Sequence, residues 1–512
     1  MKNITECPLD HLVMPRAGWQ HAPLWQIALR LLCMLLLAAL TAPNCIAQES
    51  AVVPTLEVTR PATVDTPDMA APINAETSVK ASTPSAESSP TIATPNATPP
   101  SAPQLVGVNN INAGDTAWML MSSALVLLMT LPGLMLFYGG MVRKKNVLGT
   151  MAQSIILAAA ITVLWYVIGY SLAFTPGTAL LGGLERCFLE GVAFFKDKQL
   201  VSVSHIAPTI PETVFVMFQL TFAIITPALV TGAFAERMKF SAMAIFLILW
   251  TLMVYCPVAH WVWEPGGWLA ARGTLDFAGG TVVHINAGIT GLICAVVLGK
   301  RAGYGSTPLV PHNLTLTMLG AALLWVGWFG FNAGSAVAAD GRAGMAMLVT
   351  QIGAACGVLG WVGMEMLFRQ RVTTLGLASG AVAGLVGITP AAGFVNPTGA
   401  LWIGLCAGAF SYFGATSLKV WLRQDDSLDV FGVHGIAGIT GALLTGVFND
   451  PIISGVRGDL ATQFTGVIAT LLYAGIVSYV LLKILDALMG LRISPEAESK
   501  GLDVALHGEH IE

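Results

Sequence analysis

Eleven stretches between residues 112 and 489 are almost wholly apolar, and short polar segments separate them. Their centres fall near Val126, Ala160, Phe222, Leu247, Gly291, Leu324, Ala354, Gly384, Gly404, Ile439 and Ala474. A helix that crosses a bilayer needs roughly 20 apolar residues. The pattern therefore predicts an all-α polytopic membrane protein with eleven transmembrane helices over residues 112–489.

The flanks differ. Residues 1–47 carry Arg16 and Arg30 ahead of an apolar run, Leu31 to Leu40, that is too short to span, and end at Cys45-Ile46-Ala47. This is the anatomy of a signal peptide. Residues 48–111 are rich in Pro, Ser, Thr and Ala, with Pro95, Pro99, Pro100 and Pro103 near the end. Such a segment cannot bury a core, so a disordered extracytoplasmic tether is expected. Residues 490–512 form a short polar tail.

Composition agrees with the pattern. Of 512 residues, 55% are hydrophobic and 11% charged. A soluble domain carries about 25% charged residues. The net charge of −4 and the lack of a basic block give no footprint for nucleic acid. No CxxC pair or Cys/His zinc spacing occurs among the eight cysteines.

Charge also sets the orientation. With the first span running inward, Arg143, Lys144, Lys145, Arg237, Lys239, Arg301 and Arg492 share one side with most other basic residues. Positively charged loops stay cytoplasmic. The amino terminus is thus expected outside an inner membrane and the carboxyl terminus inside.

The most informative feature is a repeat. His284-Ile-Asn-Ala-Gly-Ile-Thr-Gly291 and His434-Gly-Ile-Ala-Gly-Ile-Thr-Gly441 agree at six of eight positions. They lie in the fifth and tenth predicted spans. An odd offset means the second copy enters the membrane from the opposite side, giving an inverted five-plus-five helix repeat plus one extra helix. Transporters built this way hold substrate near the midplane, between the repeats. Asp276 lies eight residues before His284, roughly 12 Å at helical rise, and Asp429 five before His434, roughly 8 Å. Both histidines should reach the interior. Each aspartate is a candidate helix cap.

An ionisable side chain inside a span is costly and faces protein or a cavity. Two facing imidazoles can share a hydrogen bond, accept one from a small polar molecule, or relay a proton. They can also pack as satisfied core residues. A metal site would need a third ligand, which the spacing does not offer. No cofactor is expected. No serine, cysteine or paired-carboxylate arrangement accompanies the histidines, so an enzyme is not expected either.

At these residues the chain resembles the Amt/Mep/Rh family of ammonium transporters, closest to the bacterial Amt channels. The matching segments are Phe137-Tyr-Gly-Gly-Met-Val-Arg143, Gly232-Ala-Phe-Ala-Glu-Arg237, Asp276-Phe-Ala-Gly-Gly-Thr-Val-Val-His284, Gly327-Trp-Phe-Gly-Phe-Asn-Ala-Gly-Ser335 and Asp429-Val-Phe-Gly-Val-His434. The resemblance implies an outer cation site at Phe222, Trp263 and Ser335, with Asp276 as the charge near it. It implies a phenyl gate at Phe222 and Phe331, a twin-histidine pair at His284 and His434, and pathway-lining positions at Phe218, Trp328 and Thr389. It further implies a homotrimer, and a PII-type signal protein at the cytoplasmic face as partner. Glu264-Pro265-Gly266-Gly267, after Trp263, departs from the family's glycine run. The alternative implied function is an ammonium sensor signalling through a PII-type protein.

Overall fold

A computed structural model describes residues 101–511. The expected signal peptide and the tether up to residue 100 lie outside the described residues.

Ten helices are long and apolar enough to cross a membrane among the described residues. They are α1 (Ala113–Met141), α2 (Lys144–Phe174), α3 (Glu212–Phe234), α4 (Phe240–Trp263), α5 (Gly280–Leu298), α6 (Leu314–Gly334), α7 (Gly341–Arg369), α9 (Pro397–Leu422), α10 (Phe431–Phe448) and α11 (Leu460–Met489). The eighth predicted span is the shorter helix α8, Thr374–Ile388, of 15 residues. At 1.5 Å per residue it rises about 22 Å, less than the roughly 30 Å hydrocarbon core. Pro390 stands two residues beyond its end, and a proline cannot continue the ladder. Of the eleven predicted spans, ten are long apolar helices and the eighth is this shorter apolar one.

Starts of helices follow the side chains that can cap them. Asn112, Asn313, Asp340, Thr373, Asn396 and Asp459 each accept a hydrogen bond from the backbone N–H three residues on. They satisfy donors that the first turn leaves unpaired.

The chain is not purely α-helical. Strands β1 (Gln104–Gly107), β2 (Phe194–Phe195) and β3 (Leu200–Val203) form an antiparallel sheet in the order β1-β3-β2. The last part of the expected tether therefore pairs with the loop before α3, Leu105 opposite Ser202. Leu200-Val-Ser-Val203 buries its last three residues, which gives a solvent-side strand something to pack on. Strands this short leave little trace in a Pro- and Ser-rich sequence.

Glycine lets the helices of the repeat meet. A Cβ on Gly288 of α5 would lie 2.4 Å from the Gly435 Cα of α10, and one on Gly441 would lie 2.0 Å from the Gly387 carbonyl oxygen of α8. Such contacts need bare backbone on both sides. α3 runs through the centre, buried along nearly its whole length. Residues 490–511 fold back on the loops between the spans. Glu498 of α12 (Pro495–Lys500) accepts from the Ala302 N–H at 2.6 Å and from Arg492 at 2.8 Å. Asp503 accepts from the Leu148 and Gly149 N–H groups at the start of the α-helical part of α2. A carboxylate there is favoured by the helix dipole.

Candidate functional site

The repeat is structural as well as textual. Asp276 accepts from the N–H groups of Gly279, Gly280, Thr281 and Val282 and from the Thr281 hydroxyl, at 2.6–3.2 Å. In the second copy the equivalent cap is Asp426, which accepts from the Val430 and Phe431 N–H groups at 3.0 and 2.7 Å. Asp276 and Asp426 each stand eight residues before their histidine. The sequence reading that placed Asp429 in this role is thus corrected. Asp429 occupies the position of Gly279, and both have left-handed backbones, φ 60° and 111°. Its carboxylate pairs with Lys419. Reading the repeat in register through the aspartates would have found Asp426.

Each capped start winds into a π-helical turn, Gly280–Ile285 and Phe431–Gly435, and each turn carries one histidine. Similar turns occur within α1, α2, α4 and α9, so it is the histidine that each of these two carries that marks them. His284 and His434 are 1% and 3% exposed. Their Nδ1 atoms lie 3.3 Å apart, with rings 16° from parallel. One Nδ1 must carry the shared proton and the other accept it. If both rings are neutral, one outer Nε2 is then an acceptor and the other a donor. The His284 Nε2 is buried and has no hydrogen-bond partner. Among the described residues no third His, Cys, Asp or Glu completes a metal set with them.

Aromatic rings continue the row. Trp328 stacks on His284, centroids 5.4 Å apart and planes 20° apart, and Phe331 follows at 6.0 Å. The Trp328 indole N–H donates to the Thr389 hydroxyl at 2.8 Å, which in turn donates to the Leu385 carbonyl. That chain fixes the indole plane. Phe222 and Phe331 lie 4.2 Å apart with their planes tilted by 32°, and Phe218 meets Phe222 edge-on at 5.0 Å. On the histidine side of this contact lies a narrow cavity. His284, His434, Trp328, Phe331, Ile225 and Leu229 contribute to its walls. It has room for about one water-sized molecule.

Beyond the phenyl pair stands Trp263, edge-on to Phe222 at 5.7 Å and partly exposed. Its indole N–H donates to the Asp276 carbonyl at 2.9 Å. The Asp276 carboxylate is occupied by helix N–H groups, so Asp276 bears on this open end of the row by holding Trp263. Ser335 is also partly exposed. Its hydroxyl donates to the Phe331 carbonyl at 2.8 Å, which leaves its lone pairs free to accept. One supporting ring was missed from sequence: Phe174 stacks on Trp263, 11° from parallel. It ends a span far away in the chain, and nothing in the local pattern pairs the two.

The arrangement is one continuous row: a partly open aromatic cup with a hydroxyl acceptor, a closed phenyl contact, then a narrow cavity ending on paired imidazoles. It can hold a small cation outside and a small neutral hydrogen-bonding molecule inside.

Comparison with known proteins agrees with this geometry. The model of the Ammonium Transporter Family matches residues 117–511. An ammonium transporter of Bacillus subtilis is 47% identical over 405 residues, 77% of this chain and 98% of that protein. An ammonium transporter of Aquifex aeolicus is 48% identical over 406 residues, 78% of this chain and 93% of that protein. Among solved structures, Mep2 of Saccharomyces cerevisiae matches with a TM-score of 0.69 at 36% identity, covering 76% of this chain and 89% of that one. A sensor Amt protein matches with a TM-score of 0.71 at 28% identity, over 78% of this chain and 98% of that one. With nearly half of the residues shared along the whole length of such relatives, this chain belongs to the Ammonium Transporter Family.

Proposed function

We propose that this chain carries ammonium across the inner membrane along the row from Trp263 to His434. The observation that carries the reading is the unpartnered, buried His284 Nε2 at the end of an apolar cavity, directly behind the Phe222–Phe331 contact. A buried polar atom without a partner costs about 1–3 kcal/mol. A molecule that hydrogen-bonds there relieves that cost.

Ammonium docks at the outer mouth, over the faces of Trp263 and Phe222 and against the Ser335 hydroxyl. A cation over an aromatic face gains about 0.5–2 kcal/mol. The next step excludes the charge. Phe222 and Phe331 close the way, and the cavity behind them offers a bare cation no hydration shell. Ammonium passes by giving up a proton and entering as ammonia. Potassium has no proton to give and stays out.

Phe218, Trp328 and Thr389 shape the walls. The released proton follows through the histidine pair. The His284 Nε2 takes it, the Nδ1 proton passes to the His434 Nδ1, and the His434 Nε2–H is released on the far side. Atoms and charge balance for one passage, which carries one positive charge and leaves both rings in the opposite tautomer; both rings must return to the starting tautomer before the next. Loss of either imidazole interrupts this step.

The same reading assigns eleven crossings, with α8 the short eighth and α5 and α10 related by inversion. The amino terminus is outside and the carboxyl terminus cytoplasmic. Three copies associate, each with its own pathway, and the docked tail presents a surface for a PII-type protein. A sensor is the second reading, and the structural match to a sensor Amt protein is what favours it. In that reading a PII-type protein at the cytoplasmic face carries the message.

The test is uptake by proteoliposomes after an ammonium or a potassium pulse. Saturable uptake with ammonium alone is the expected result. Equal uptake of both ions would sink the selectivity account. No uptake, with ammonium binding retained, would favour the sensor.

A further inference from the structure

Two features left without a role meet at the residue that follows Trp263. The loop before α3 carries His205, and the segment after Trp263 carries Glu264 in place of a glycine run. The His205 Nε2 lies 3.1 Å from Glu264 Oε1. Both residues are buried, 7% and 3% exposed. Glu264 also accepts from the Gly266 N–H, so the carboxylate pins the turn that follows Trp263. The His205 Nδ1 is buried and has no partner.

Other charged groups around the pair are few. His260 lies on α4, its ring nitrogens facing the Ala173 and Thr178 carbonyls at 3.1 and 2.8 Å. One residue from His205, Ser204 borders the Tyr170–Glu212–Arg186 cluster, in which Arg186 and Glu212 neutralise each other at 2.9 Å. Burial pushes the Glu264 carboxyl up, but the hydrogen bond from His205, the Gly266 N–H and the nearby imidazoles outweigh it and hold it below the usual carboxylate range. Glu264 is therefore an anion one residue from Trp263.

We infer that Glu264 is a specificity-determining carboxylate of the outer cation site, and that His205 sets how much of its charge an arriving cation feels. With His205 neutral, its Nε2–H orients the carboxylate and the negative charge remains. A proton on the open Nδ1 makes His205 an imidazolium and cancels that charge. The two states are compared between neutral and mildly acid solution. Ammonium remains the dominant species throughout this range, so the effect falls on the site and not on the substrate. The inference rests on the transport reading above.

The experiment measures ammonium-driven current in proteoliposomes between about pH 7.5 and about pH 5.5 outside, for wild type, His205→Gln and Glu264→Gln. Acidification should raise the wild-type half-saturation concentration by about three- to tenfold, as expected for one charge near a surface site. His205→Gln keeps a donor to Glu264 and cannot gain a proton, so its half-saturation should stay at the high-pH value. Glu264→Gln should be weak at both pH values. The melting temperature in detergent should stay at the wild-type value in both, which shows that they fold. A His205→Gln protein with the wild-type pH profile would overturn the inference, as would a Glu264→Gln protein with wild-type half-saturation at pH 7.5. A uniform loss of maximal current with an unchanged pH profile would reduce the pair to a structural brace and overturn it too. A wild-type protein without ammonium current would instead overturn the transport reading, and this inference with it.

Discussion

Thr389 shows how one hydroxyl governs a ring. It receives the Trp328 indole N–H and passes its own proton to the Leu385 carbonyl, and Trp328 stacks on His284. Thr389→Val keeps the shape and removes the acceptor. The buried indole N–H is then unpaired, at a cost of about 1–3 kcal/mol. Thermal unfolding in detergent should show that loss, and transport should fall because the indole no longer holds its plane. Thr389→Ser should restore both. An unchanged melting temperature in Thr389→Val would mean that the hydrogen bond is not maintained. Asp276 makes the same point in another way. Its charge reads from sequence as part of a cation site, yet its carboxylate serves the start of α5 and its carbonyl serves Trp263.

Among elements, the repeated pair α5 and α10 sets the distance between the histidines. Gly288 meets Gly435 with no space for a Cβ, directly beside His434. Gly288→Val should force the helices apart and stretch the Nδ1 contact. Overpacking of this kind costs about 1–3 kcal/mol. Transport should drop much more than stability, which a comparison of uptake rate with melting temperature will show. Equal falls in both would mean general misfolding.

The histidines were legible because their segments repeat almost letter for letter inside apolar runs. The capping aspartate of α10 was not, because Asp425, Asp426 and Asp429 crowd one loop and spacing from the helix alone favours the last. Only the register of the repeat separates them. The small sheet was illegible because its strands are two to four residues long. α8 was read as a full span because buried residues such as Thr389, Ala391 and Ala392 prolong its apolar run past the helix end. Phe174, behind Trp263, is a tertiary contact that no local pattern encodes.

At the scale of the molecule, the helices expose apolar side chains such as Leu120, Val163, Leu359 and Ile476, and a bilayer supplies the apolar surroundings they require. Charge is collected at the ends. The buried Asp425 carboxylate meets Arg301 at 2.9 Å and lies 3.7 Å from Arg237, tying the α5–α6 loop to the segments after α3 and α9. Asp425→Asn takes the paired carboxylate from Arg237 and leaves Arg301 with Glu236 alone, 3.6 Å away, and breaking a buried pair costs about 3–5 kcal/mol. Loss of thermal stability on that scale is expected in detergent. The pH dependence follows from the same contacts. Burial raises the Asp425 carboxyl, but Arg301 outweighs it and holds the group below the usual carboxylate range. A carboxyl depressed in the folded state stabilises above its unfolded pKa of about 3.9 and loses that contribution as pH falls through the folded value. The cluster should therefore hold from about pH 4 through neutral pH and fail in stronger acid, as melting temperature against pH will show.

The central claim is that the paired histidines carry the proton while ammonia passes beside them. Current on a sensor coated with proteoliposomes, after ammonium and potassium pulses, tests it most directly in wild type, His284→Ala and His434→Ala. Wild type should give a saturable current with ammonium and none with potassium, and each variant should lose the current or the discrimination. Variants that keep a wild-type, potassium-silent current would contradict the account.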